Sequence, residues 1–243
     1  LDKAIKVLED VINMPQLSRI AQAEAKLDLG DYYLMQGEVW ESTLLYSQVD
    51  KEMKDAPLGE LARYKNAKLS YYKGDFEWAQ DQLDILKGST SELISNDAIG
   101  LSVFILEHSA LDTTTRPMEM FAKSELLRFQ NKFDASIVVM DSIMVQYSDH
   151  GLGDDILLAK AEIAFKYRDY ETAIKFLEQI PTKYEDGILV DNAIFRMAEI
   201  YEQRLGDSKK AMALYEKILF EHTGSLFIVE ARKRFRKLRG DGV

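Results

Sequence analysis

One pattern of residues returns along most of this chain, at intervals of about 37 residues. In its clearest copy, an amphipathic stretch that begins near Ala67 ends at Gly74-Asp75. A second stretch begins at Phe76, with the small residue Ala79 three positions later. A Gly-Asp break between two stretches of helical periodicity predicts two helices joined by a tight turn. We therefore expect a chain of repeated helix pairs.

The small residue near the start of each second helix gives the register of the repeats. It occurs at intervals of 38, 37, 57, 37 and 38 residues, at Ala4, Ser42, Ala79, Ser136, Ala173 and Ala211. Two antiparallel helices approach closely only where one of them carries little bulk, which explains a small residue at the crossing. The 57-residue interval contains an additional apolar stretch, from Asp97 to Leu111, which predicts one extra helix.

Because a single helix pair cannot bury its apolar face alone, we expect the pairs to stack into one solenoid over residues 1–243. The chain begins with the pattern of a second helix, which indicates the C-terminal part of a longer protein. The predicted sections are repeats at 1–15 (second helix only), 20–55, 58–90, 117–150, 154–185 and 190–223, an irregular helix at 95–112, and a C-terminal capping helix at 226–239.

The repeats resemble the tetratricopeptide repeat, although their period exceeds the roughly 34 residues of its standard form. This resemblance implies an all-α fold, a right-handed α-α superhelix of antiparallel helix pairs. It also implies a protein that binds another protein or peptide and is not an enzyme. No cofactor is expected.

The run from Gly206 to Ile218, followed by Gly224-Ser225 and Glu230 to Arg236, is similar to uncharacterised tetratricopeptide repeat proteins of Bacteroidetes-type bacteria. Such proteins typically carry secretion signals, so this similarity implies a periplasmic or otherwise extracytoplasmic location. The absence of cysteine is compatible with that location and equally with the cytoplasm. The sequence contains no apolar run of the roughly 20 residues that a membrane span requires.

The resemblance also predicts a binding groove, because the first helix of each pair lines the concave face in this class. The positions that correspond to the groove are Leu34, Tyr64, Lys68, Tyr71, Phe121, Glu125, Arg128, Leu158, Glu162, Phe165, Phe195 and Glu199. Their aromatic rings could anchor an extended or helical peptide, with Lys68 and Arg128 available to its carboxylates. Alternatively, some of these rings fill the space between adjacent helix pairs.

A basic segment near the end of the chain contrasts with its acidic remainder. Six cations and no acid fall within residues 231–240, at Arg232, Lys233, Arg234, Arg236, Lys237 and Arg239, so the formal charge of −10 leaves −16 on the remainder. A basic helix raises the possibility of binding nucleic acid or an anionic surface. The acidic remainder disfavours nucleic acid, and the stripe Phe227, Ala231, Phe235 and Leu238 predicts an ordinary packing face.

The residue types that carry catalysis or bind metals form no convincing pattern. His108, His150 and His222 lie far apart and lack the spacing of zinc ligands on one helix. The best metal candidate combines Asp149 and His150 with Asp154 and Asp155, but the last two precede an apolar helix and are more simply capping acids. No metal site is therefore predicted.

Three hypotheses about function follow. The first is a non-enzymatic scaffold or adaptor, a subunit of a multi-subunit bacterial envelope complex, that holds a partner in its groove. The second is binding of nucleic acid or an anionic surface by the basic helix. The third is a regulatory repeat region of an enzyme whose catalytic domain lies outside this chain.

Overall fold

The computed structural model describes residues 1–54, 56–109 and 114–241, and in these residues the chain is helical, without strands. This confirms the predicted all-α class. The α-helices are α1 (Asp2–Ile12), α2 (Arg19–Gln36), α3 (Val39–Glu52), α4 (Pro57–Tyr72), α5 (Phe76–Leu86), α6 (Glu92–Ser109), α7 (Arg116–Phe129), α8 (Phe133–Gln146), α9 (Gly153–Lys166), α10 (Tyr170–Lys183), α11 (Val190–Ile200), α12 (Ser208–Glu221) and α13 (Ile228–Arg239). A π-helix, Tyr201–Leu205, continues α11.

The helices pack in sequence within two compact units, Leu1–Tyr147 and Ser148–Val243, called unit 1 and unit 2 below. In unit 1 the pairs are α2/α3, α4/α5 and α7/α8, and α4 also contacts α2, α6 and α7. In unit 2 the pairs are α9/α10 and α11/α12, and α13 packs on α12. The prediction of one solenoid over residues 1–243 stays a prediction.

A small residue on each helix of a pair marks the crossing. The buried partners are Gly30 with Ser42, Ala67 with Ala79, Ser124 with Ser136, Ala161 with Ala173, and Ala198 with Ala211. Where the second helix carries serine, its hydroxyl donates a hydrogen bond to the carbonyl oxygen of the opposite small residue. The Ser42 Oγ to Gly30 O and Ser136 Oγ to Ser124 O distances are both 2.8 Å. The predicted register is confirmed at these positions, whereas Ala4 is only half-buried.

Larger apolar residues surround each crossing. The fourth position after the small residue of the second helix is fully buried in every pair, at Tyr46, Leu83, Met140, Leu177 and Tyr215. The seventh position is buried as well, at Val49, Leu86, Ile143, Ile180 and Ile218. Spacings of four and seven residues place these side chains on one face of a helix. That face forms the core of each unit.

Each turn within a pair contains one residue with positive φ. The angle is 97° at Gly37, 81° at Gly74, 57° at Asn131, 61° at Arg168 and 69° at Gly206. The next residue donates its N–H back into the first helix, as in the Schellman motif; the Asp75 N to Ser70 O distance is 3.0 Å. The Asp75 carboxylate then caps the second helix by accepting from the N–H of Trp78.

The extra helix α6 begins at Glu92, three residues before the predicted start, and residues 110–112 of the predicted segment lie outside the described residues. Its Ile94, Ala98 and Ile105 join the core of unit 1. The terminal helix α13 also packs as predicted, since Phe227, Ala231, Phe235 and Leu238 contribute to the core of unit 2.

Candidate functional site

Three of the residues predicted to line a groove in unit 1 are core residues. Leu34, Tyr71 and Phe121 are buried, and the Tyr71 hydroxyl donates to Glu125 Oε2 at 2.6 Å. The physical reason is that α4 contacts both α2 and α7, so side chains on the facing sides of these first helices fill the space between them. The interpretation of these rings as core fillers therefore applies in unit 1.

The other predicted groove residues of unit 1 are half-buried. Tyr64 packs against the core, and burial, reinforced by the charges of Asp97 and Glu125, raises its pKa to about 12. Lys68 lies with its Nζ 5.9 Å from the centre of the Tyr72 ring. Glu125 and Arg128 both take part in interactions within the described structure. Unit 1 therefore presents no open row of aromatic side chains at these positions.

In unit 2 the predicted groove residues come together at one pocket, with the exception of Phe195. Phe195 is buried and stacks on Phe227 with 4.7 Å between ring centres. The pocket has a volume of about 370 Å³. It contains Leu158, Glu162, Phe165 and Glu199 from the predicted set, together with Ala161, Lys166, Leu177, Arg196, Ile200, Gln203 and Arg204.

The pocket lies between α9 and the segment formed by α11 and the π-helix. Leu158, Ala161, Leu177 and Ile200 give it apolar walls. Phe165 stands at its edge with 37% of its surface exposed, and its ring lies 5.4 Å from that of Tyr170. Apolar walls with an accessible aromatic ring at the edge can accept an apolar side chain from outside.

The π-helix results from one additional residue in the last pair. Twelve residues separate the two small residues of the crossing in the first four pairs, but thirteen separate Ala198 from Ala211. The turn shows the same difference, because the Asp207 N–H reaches back six residues to the Tyr201 carbonyl oxygen instead of five. A π-turn accommodates an inserted residue inside a helix, and such turns are frequent at functional sites. Two π-helix residues, Gln203 and Arg204, line the pocket.

The charged side chains at the pocket differ in whether a residue of opposite charge lies close to them. Arg234, on α13, holds Glu199 at 3.2 Å and Glu202 at 3.0 Å, and Arg196 lies 3.9 Å from Glu199. Arg204 instead stacks over the Phe165 ring, 5.4 Å from its centre, and lies within 4 Å of no acid among the described residues. A guanidinium group over an aromatic ring at a pocket edge can still donate hydrogen bonds to a carboxylate.

Glu202 links α12 and α13 to the π-helix. Its carboxylate accepts from the Tyr215 hydroxyl at 2.7 Å as well as from Arg234. Burial, followed by this hydrogen bond, raises the pKa of Tyr215 above its ordinary range, so the phenol stays protonated and keeps donating. These contacts hold the π-helix against its neighbours and thereby position the pocket edge.

The structure divides the basic residues of α13 into two groups. Arg234 is half-buried and is bound to Glu230 at 2.9 Å as well as to the two acids beside the pocket, so its charge is compensated within unit 2. Its position on the face of Ala231 explains this, since that face packs on unit 2. The other cations of α13 are exposed, at Arg232, Lys233, Arg236, Lys237 and Arg239. Arg239 pairs with Asp241.

Sequence reasoning missed the basic and polar side of the pocket, which consists of Lys166, Arg196, Gln203 and Arg204. One pattern could have revealed it. The thirteen-residue spacing between Ala198 and Ala211 is visible in the sequence and indicates an irregular helix at this place. Which side chains the irregular helix directs to the pocket depends on how it packs against α12.

Neither a metal centre nor a membrane span is found in the described part of the chain. Its histidines, aspartates and glutamates form no group of three that could hold a metal ion. Asp154 and Asp155, from the metal candidate considered above, lie in the first turn of α9, where acids interact favourably with the helix dipole. No helix within these residues combines the length and the apolar character needed to cross a bilayer.

These features define the class of protein: over the residues that the structure describes, the chain is a helical-repeat protein, built from helix pairs that pack in sequence. Residues 110–218, somewhat less than half of the chain, match the family model described as Tetratricopeptide repeat protein 21 ARM repeat. Among curated proteins, none matches the chain significantly. The class supports a general role in binding other proteins.

Proposed function

We propose that this protein is a non-enzymatic scaffold or adaptor that binds a partner protein through a groove formed by its first helices. The observation that carries the proposal is the pocket of unit 2. It brings together Leu158, Glu162, Phe165 and Glu199, four residues that the repeat register predicts for the groove. Helical repeats commonly use such surfaces for extended contacts with partners.

The dimensions of the pocket suit an anchoring contact. A volume of about 370 Å³ lies at the lower end of the range of ligand sites, large enough for one apolar side chain and part of its backbone. A few buried anchors usually supply most of the binding energy of a protein interface. The partly exposed ring of Phe165 is the natural contact for such an anchor.

Affinity capture with matched phenylalanine variants tests this proposal. The bait is the chain carrying Phe165→Ala, and the control carries Phe220→Ala, because Phe220 is exposed in the same unit and lies outside the pocket. Extracts of the source cells are cross-linked to each bait and the captured proteins are quantified. We expect a partner that binds the unchanged chain and the Phe220 variant but not the Phe165 variant. Equal capture by all three would refute binding at this pocket.

We further propose an extracytoplasmic location and membership in a bacterial envelope complex. The support is the similarity of the segment from Gly206 to Arg236 to extracytoplasmic repeat proteins, and the absence of cysteine is compatible with it. Osmotic-shock fractionation of the source cells, followed by detection of the protein, tests the location. Recovery only with cytoplasmic markers would contradict this part of the proposal and leave the scaffold function untouched.

A second candidate function is binding to an anionic surface through α13. Its support is the group of exposed cations Arg232, Lys233, Arg236 and Lys237, which face no acid within 4 Å among the described residues. The unchanged chain should bind anionic vesicles or nucleic acid with an affinity that falls steeply as the salt concentration rises. Substitution of Arg232 and Lys233 by glutamate should abolish this binding. Binding that survives this reversal would exclude the candidate.

A further inference from the structure

We propose that the pocket of unit 2 selects a partner segment in which an apolar side chain stands beside an internal acidic residue. The apolar side chain enters the pocket and the acidic side chain pairs with Arg204. This inference rests on the proposed scaffold function and specifies the chemistry of the partner. It follows from the π-helix, which contributes Gln203 and Arg204 to the pocket edge.

The apolar half of the recognition comes from the pocket walls. Leu158, Leu177 and Ile200 belong to three different helices and leave a space between them. Phe165 extends this apolar surface to the opening, where 37% of its surface is accessible. An apolar side chain that enters removes this surface from water, which is the main favourable contribution to such contacts.

Recognition of the acidic side chain depends on Arg204, because Glu199 at the opening is already paired with other cations. Glu199 is already bound by Arg234 and Arg196, so it offers little attraction to a cationic partner. Glu162 and Lys166 take part in interactions within the described structure. Arg204 is held by the Phe165 ring, and its guanidinium has no acid within 4 Å among the described residues.

The residues that line the pocket include three cations, Lys166, Arg196 and Arg204, and two acids, Glu162 and Glu199, in a chain with a net charge of −10. An acidic side chain beside the apolar anchor is therefore attracted at this opening. Charge complementarity of this kind gives specificity and register more than raw affinity. The position of Arg204 over Phe165 places the carboxylate next to the apolar anchor, so the two features should be adjacent in the partner sequence.

Synthetic peptides test the inference directly. The probe is a nine-residue peptide, acetylated and amidated at its ends, with a central phenylalanine between two aspartates. A second peptide replaces the aspartates by lysines, and a third replaces the phenylalanine by alanine. Two-dimensional NMR titration of the unchanged chain measures each affinity and shows which resonances shift. We expect the first peptide to bind about tenfold more tightly than either other peptide, with shifts at pocket residues.

Matched charge reversals locate the carboxylate contact. Arg204→Glu should remove the preference for the aspartate peptide, whereas Lys175→Glu makes the same charge change at an exposed site of unit 2 outside the pocket and should leave the preference intact. A fourth peptide with a free terminal carboxylate beside its phenylalanine and no aspartate completes the set. Tighter binding of this fourth peptide would overturn the assignment to an internal acidic residue.

Deletion of Gln203 tests the contribution of the π-helix. It restores the twelve-residue spacing of the other pairs and should weaken binding of the aspartate peptide while the helical content of the chain is retained. Unchanged affinity in the deletion variant would overturn the role of the insertion. Should this variant fail to fold, the Arg204 reversal still tests the contact with the acidic residue, on which the inference depends.

The outcomes separate this inference from the proposed function. Equal binding of the aspartate and lysine peptides, or no binding of any peptide at millimolar concentration, overturns the inference. If Phe165→Ala still abolishes capture of a partner in that case, the scaffold proposal stands and its partner has another chemistry. If the aspartate peptide binds at the pocket but capture is independent of Phe165, the scaffold proposal fails at this site and the chemistry of the pocket is nevertheless supported.

Discussion

Substitution of Gly30 by alanine should destabilise unit 1, although alanine is ordinarily the better residue inside a helix. A Cβ atom at this position would lie 2.4 Å from Cε1 and 2.9 Å from Cδ1 of Tyr46. Real Cβ atoms do not approach a ring so closely, so the ring or the helix must move. Tyr46 is almost fully buried and its hydroxyl donates to Asp31 at 2.6 Å, so the ring has little freedom to do so.

The expected magnitude follows from opposing contributions. Replacing glycine by alanine in a helix interior stabilises by about 1 kcal/mol. Overpacking of a core position costs about 1–3 kcal/mol. Displacement of the Tyr46 ring also weakens its hydrogen bond to Asp31, which costs about 1–2 kcal/mol more. The net loss in the free energy of unfolding should therefore be about 1–4 kcal/mol.

Gly100 in α6 provides the matched control, because a Cβ there meets no atom within 4 Å. Gly100→Ala should stabilise the chain by up to about 1 kcal/mol. A compensating variant is also available from the neighbouring pair, where the positions equivalent to Gly30 and Tyr46 hold Ala67 and Leu83. The double variant Gly30→Ala with Tyr46→Leu should lose less free energy of unfolding than the two single variants lose together, by about 1–2 kcal/mol.

Tryptophan fluorescence during urea unfolding is the appropriate assay. The chain contains two tryptophans, Trp40 and Trp78, and both lie in unit 1, with Trp40 in the same helix as Ser42 and Tyr46. A shift of the midpoint to lower urea for Gly30→Ala, with the opposite shift for Gly100→Ala, is the predicted result. If Gly30→Ala were as stabilising as the control, the close contact with Tyr46 and the register derived from it would be refuted.

Three further predictions concern other contacts. Arg168→Gly should raise the thermal midpoint, corresponding to a gain of about 0.5–1 kcal/mol, because the φ of 61° favours glycine; a lower midpoint would contradict this. Arg234→Ala should destabilise unit 2 by about 1–3 kcal/mol in urea unfolding followed by circular dichroism, whereas Arg232→Ala should change stability by less than about 0.5 kcal/mol. The Tyr64 pKa of about 12 exceeds its ordinary value of 10.0, so stability from the protonated phenol is complete below pH 10 and lost between pH 10 and about 12. Urea midpoints at pH 9 and 11.5 should therefore differ less in Tyr64→Phe than in the unchanged chain.

The repeat architecture could be predicted because its determinants are local. Small residues at Ala79 and Ala173 recur at regular intervals, and the Gly74-Asp75 turn combines a residue suited to positive φ with a helix cap. The structure places both alanines at buried crossings, as expected. The groove was less predictable, since the register identifies the side of a helix that a residue occupies but not whether a neighbouring helix covers it.

Tyr71 and Phe165 illustrate the difference, because both stand four positions after the small residue of their first helix. Tyr71 is fully buried because α4 packs on α7, and it is bound to Glu125. Phe165 remains accessible at the pocket edge. Equivalent positions in the repeat thus have different roles, and a partner-binding variant at Tyr71 would instead destabilise the core.

The sequence by itself determined the helices, the turns and the small residues at the crossings, because these depend on spacing and on the chemistry of neighbouring residues. The tertiary structure alone decided which side chains stay accessible, since accessibility depends on helices distant in the sequence. It likewise converted the additional residue between Ala198 and Ala211 into a π-helix that places Arg204 beside Phe165. Two features hold that segment in place. One is the buried crossing at Ala198 and Ala211, and the other is Glu202, which contacts Tyr215 and Arg234.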